Sequence, residues 1–94
     1  MGKLKLQHKY DDVRKYLESI PENEMSAIIA KEQKNVREGV SDERRKECVA
    51  YGMYVHIEDD DLRRSIQRES EWQDEYIANL FIKVCKDMGI YERF

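Results

Sequence analysis

Proline occurs once and glycine four times in the 94 residues. Turns built on these residues are therefore few and the elements between them long, which favours helices over a many-stranded sheet. Histidine and cysteine occur twice each. The two histidines fall in no catalytic triad spacing, and there is no Gly-rich phosphate loop. A non-catalytic chain without metal or cofactor is expected. Cys48 and Cys85 both lie inside apolar runs and read as buried, reduced thiols. There is no apolar stretch near the ~18 residues of a membrane span and no secretory apolar segment, so the chain is expected in the cytoplasm, away from membranes. The opening "MGKLKL" has Leu6 where a myristoylation signal needs Ser or Thr.

What is present in quantity is charge. Charged residues make up 39% of the chain and apolar ones 40%, for a net charge of −3. The balance is uneven: residues 1–47 carry 11 basic and 10 acidic side chains, residues 48–94 carry 6 and 10. A mildly acidic chain of this size is expected to form one soluble domain over residues 1–94, and is not built mainly to coat nucleic acid.

Apolar spacing predicts an all-α fold of four helices, a small bundle-like domain, at about 10–20, 22–38, 42–57 and 60–88. Residues 1–9 are expected to be a flexible tail or a short edge strand. In the first helix Tyr10, Val13, Leu17 and Ile20 recur three or four apart. Pro21 suits the start of the second. Ser41 is placed to cap the third, one of Asp59, Asp60 and Asp61 to cap the fourth, and Gly89 to end it. Glu69 and Gln73 fall on the apolar stripe of 60–88, which requires either a break near 69–71 or a polar interruption. The expected core is Val13, Leu17, Ile29, Val36, Val49, Met53, Ile66, Ile77, Leu80 and Val84.

The stretch 48–57, "CVAYGMYVHI", admits two structures. Its alternation of Val49, Tyr51, Met53, Val55 and Ile57 fits a strand, and Gly52 costs about 1 kcal/mol in a helix interior. Yet "SDERRKE" upstream is a strong helix start with no breaker before Cys48, and nothing else in the chain reads as a good strand except "KLKL" or the same segment in a second copy. Helix is expected; the alternative is an α+β fold with 48–57 paired across a homodimer axis.

Three constellations bear on function. Six tyrosines and one tryptophan are many for this length. Trp72 is expected off the stripe of its helix and Tyr54 and Tyr91 partly exposed; with Tyr76, which falls on the stripe, they are the aromatics expected to favour partner contact. With the nearly all-round apolar run 76–85, they point to a protein-binding module, homodimeric, acting as a small regulator or inhibitor of a larger protein. Arg44, Arg45, Lys46, Arg63, Arg64 and Arg68 form two basic clusters that support the alternative, a small nucleic-acid-binding regulator. His56 with the acids 58–61 has ligand chemistry for a divalent cation but no recognised spacing; helix-capping acids are the simpler reading.

Overall fold

The computed structural model describes residues 2–71 and 73–94, with side chains from residue 9 onward. They form five α-helices and one 3-10 turn: α1 (Gly2–Glu18), α2 (Glu22–Asn35), α3 (Asp42–Val55), α4 (Asp60–Glu69), α5 (Asp74–Met88) and the turn Tyr91–Arg93. There is no strand among the described residues, so the paired-strand alternative for 48–57 is overturned. The radius of gyration is 12.7 Å, close to the ~12 Å of a folded chain of this length.

The helix boundaries follow local chemistry. The Ser41 side chain accepts the Arg44 N–H, and the Asp59 carboxylate accepts the N–H groups of Asp61 and Leu62. Each satisfies donors that a helix start leaves without partners. Gly89 ends α5 in the left-handed region, φ 77°, which a residue without Cβ adopts freely.

Four expectations about boundaries are corrected. Helix α1 begins at Gly2, not near residue 10, so 2–9 are neither tail nor strand. Lys, Leu and Gln are good helix formers, and no breaker separates them from Tyr10. Helix α2 ends at Asn35, because Val36 turns to extended backbone ahead of Gly39; Val36 is consequently only partly buried. Helix α3 ends at Val55, with His56 capping it. The span 60–88 is two helices. Ser70, fully buried, returns its hydroxyl to the Gln67 carbonyl at 3.0 Å, and Glu71 takes φ 56°. A continuous helix would have aimed both Glu69 and Gln73 into the core; the break lets α5 restart with Asp74 and Glu75 in its first turn, where the helix dipole favours them.

The other expected core residues are all buried. Helix α5 lies against α3, α1 and the 3-10 turn, while α2 covers α3 and α4 covers α1. Phe81 of α5 meets Tyr54 of α3 edge-on, ring centroids 6.0 Å apart. The C-terminal segment folds back as its apolar-aromatic character requires. Phe94 is buried against Tyr91 at 5.6 Å, and its main-chain oxygen accepts from Gln33 at 2.8 Å and Arg45 at 3.2 Å. Arg93 reaches across to Glu22 at 2.6 Å.

Candidate partner-binding surface

The aromatic residues separate on inspection of their surroundings. Tyr54 is 5% exposed and Tyr91 8% exposed, so the expectation that both lie partly open is wrong. Tyr54 is held between Tyr51 and Phe81, and Tyr91 is covered by Phe94 and the stems of Lys46 and Lys86, whose ammonium groups sit 5.7 and 5.0 Å from its ring centre. Tyr76, which the sequence pattern places on the apolar stripe, is 45% exposed. Trp72 lies outside the described residues.

The basic clusters are largely occupied. Arg45 contacts Asp42 at 2.6 Å as well as the Phe94 oxygen; Lys46 lies 3.8 Å from Glu92; Arg44 lies 3.8 Å from Glu47. Arg63 pairs with Asp60 one turn back. Arg64 and Arg68, one turn apart and exposed on α4, have no ion pair among the described residues. The six cations therefore do not form one free cluster: four of them, Arg44, Arg45, Lys46 and Arg63, are paired with acids.

His56 turns away from the acids that follow it. Its Nε2 lies 3.0 Å from Glu32 Oε2 on α2, and its carbonyl accepts the Tyr16 hydroxyl at 2.9 Å. Asp59 is engaged as a cap and Asp60 as a partner of Arg63. Among the described residues no three metal-ligating side chains converge.

A surface that the aromatic count did not single out lies between α3 and α5. Helix α3 is packed on two flanks, by α2 and by α5, and its outer side is only partly covered by the described residues. Along that side run Cys48, Tyr51 and Val55, spaced three and four apart and so aligned on one helical face. Val55 is 58% exposed. Across from Cys48 and Tyr51 stand Ala78 and Ile82 on α5, one turn apart, and these four line a groove of about 540 Å³. Its margins carry Glu47, Asp74, Glu75 and Arg44. The Tyr51 hydroxyl donates to Asp74 at 3.1 Å, which fixes the ring against the groove wall. Burial first, and that hydrogen bond second, push the Tyr51 phenol above its ordinary range, so it stays a neutral donor at physiological pH. Tyr76 projects from the opposite side of α5.

The two thiols differ accordingly. Both are free. Cys85 is buried as expected, and desolvation pushes its thiol up to about 12; Cys48 is half-buried at the groove, which corrects its expected burial. The groove residues did leave a trace in the sequence. Val49 and Met53 define one apolar face of α3, and Cys48, Tyr51 and Val55 define a second that a single-stripe reading merges with it.

No helix among the described residues is long and apolar enough to cross a membrane. Comparison with protein-family models, with curated proteins and with solved structures finds no match to this chain.

Proposed function

We propose that the chain is a non-catalytic protein-binding module, a small cytoplasmic regulator or inhibitor of a larger protein. The observation that supports this reading is the open apolar face of α3, continued across the groove by Ala78 and Ile82. A helix in a small domain that already buries one face has no structural need of a second, and apolar clefts between helices are places where partner side chains lose water. The five helices are proposed to be bundle-like in arrangement, with α4 and α5 both packed on α1. The module is proposed to be a homodimer, joined through the flank of α5 that carries Tyr76 rather than through the groove.

Arg64 and Arg68 favour a second reading, contact with nucleic-acid phosphates, since they are exposed and without acidic partners among the described residues. One experiment separates the two: a tagged pull-down from host lysate with and without nuclease, the captured material being identified. A stoichiometric protein that survives nuclease supports the module. Material lost with nuclease, with binding that falls steeply as salt rises, supports phosphate contact instead. Sedimentation of the purified chain reads the dimer, and Tyr76→Ala is expected to yield monomer with unchanged helix content.

A further inference from the structure

We infer that the α3–α5 groove docks a short basic segment of the partner protein, about two helical turns long, studded with apolar side chains. This rests on the protein-binding reading above and adds the chemistry of the occupant. The two walls run antiparallel. Tyr51, late in α3, bonds to Asp74 at the start of α5. Lys46, early in α3, and Lys86, late in α5, share the Tyr91 ring. The lining spans Arg44 to Tyr51 on one wall and Asp74 to Ile82 on the other; at 1.5 Å per residue that is roughly 10–12 Å, the rise of about two helical turns. The floor offers Cys48, Tyr51, Ala78 and Ile82. It therefore suits two or three apolar side chains spaced one turn apart.

The margin selects the sign of charge. Glu47, Asp74 and Glu75 face a single cation, Arg44, whose guanidinium is already 3.8 Å from Glu47. Three acids against one base leave the lining at −2. The cations further along α5 are engaged elsewhere: Lys83 lies 3.8 Å from Asp87, and Lys86 sits over Tyr91. A phosphate backbone or an anionic membrane surface meets repulsion here. So does a second copy of the same groove, which would set acid against acid about a two-fold axis. Lysine or arginine flanking an apolar stripe meets complementary charge, and long cationic stems cover apolar surface on the way.

The test is a titration of the isotope-labelled full chain, followed by amide chemical shifts, with two synthetic helical peptides of about 14 residues. One carries three leucines on one face flanked by lysines; its twin replaces every lysine by glutamate. The expected result is that the cationic peptide moves the amides of 44–55 and 74–82 and binds about tenfold or more tightly than its twin. Glu75→Lys, at an exposed position, is expected to weaken the cationic peptide several-fold, and Ala78→Lys to abolish its binding, with helix content unchanged in both. No shifts in the groove, equal response to both peptides, or an Ala78→Lys chain that binds like wild type would overturn the inference. The pull-down answers the other question. A protein captured equally by wild type and Glu75→Lys removes the groove while keeping the module, whereas no protein captured by wild type removes the module itself.

Discussion

Gly52 sets two opposing effects against each other, and their sizes can be worked from the structure. A glycine within a helix is about 1 kcal/mol less favourable than alanine. Taken alone, Gly52→Ala in the last turn of α3 would therefore stabilise the chain by up to about that amount. But a Cβ built there would lie 2.6 Å from Glu32 Cγ, 2.5 Å from its Cδ and closer still to Oε1. The Glu32 side chain lies across α3 over Gly52 and must rotate away. In doing so it gives up its 3.0 Å contact with His56 Nε2, a pair in which both side chains are mostly shielded. Hydrogen bonds to charged groups in such settings contribute about 1.5–3 kcal/mol. Gly52→Ala is therefore expected to destabilise by about 0.5–2 kcal/mol, the difference between that loss and the helix gain. In a Glu32→Ala background nothing stands in the way of the Cβ, and the same substitution is expected to stabilise by about 1 kcal/mol. Urea unfolding of the four chains, wild type, two singles and the double, gives the coupling directly, expected at about 1.5–3 kcal/mol. If Gly52→Ala stabilises equally in both backgrounds, Glu32 is not seated over Gly52 and the clasp between α2 and the end of α3 does not exist.

Three further outcomes are expected. Glu71 holds φ 56° directly after α4, so Glu71→Gly should stabilise by up to about 1 kcal/mol in the same urea assay; a loss of stability would show that the Glu71 side chain itself holds the break. A colorimetric thiol reagent at neutral pH should modify one thiol of two rapidly, Cys48, while Cys85 waits for unfolding, because its burial suppresses the thiolate; two equal rates would refute the burial of Cys85. The Arg93 guanidinium holds the Glu22 carboxyl below its ordinary 4.5. The unfolded chain thus takes up that proton first, and the stability the pair supplies is complete above about pH 4.5 and lost as pH falls through the lowered folded value. The melting temperature should accordingly drop less steeply with acid in Glu22→Gln, and an unchanged acid limb would show that the pair contributes nothing.

Features decided by a few neighbouring residues were legible in the sequence. Ser41, Asp59 and Gly89 do at their helix ends what their side chains, or the lack of one, dictate. The polar residues Glu69 and Gln73 announced trouble in the middle of 60–88, and the chain resolves it with a break. Features decided by distant packing were not legible. Tyr54 and Tyr91 sit at stripe edges, but whether an edge is open depends on what lies beside it: Phe81 for one, Phe94 and two lysine stems for the other. Arg45 and Lys46 look like a basic patch in sequence because the groups that use them, the Phe94 oxygen and Glu92, come from the far end of the chain.

The stretch 48–57 shows why its pattern allowed two structures. Its alternation resembles a strand because α3 carries apolar residues on nearly all sides, each side for a different reason. Val49, Ala50, Met53 and Tyr54 face the core and α5. Gly52 and His56 face α2, and the absence of a side chain at Gly52 is what admits Glu32. Cys48, Tyr51 and Val55 face outward. A strand has two faces and could serve only two of these demands, whereas a helix at 3.6 residues per turn divides its circumference among all three. The glycine that weighed against a helix is thus the residue that lets the helix pack. The outward face, by contrast, is apolar although the described residues cover it only in part: Cys48 and Tyr51 are half-buried and Val55 is exposed. A surface that loses water against a partner is the proposed reason for its composition, and the charge-reversed peptide pair puts that proposal to the test.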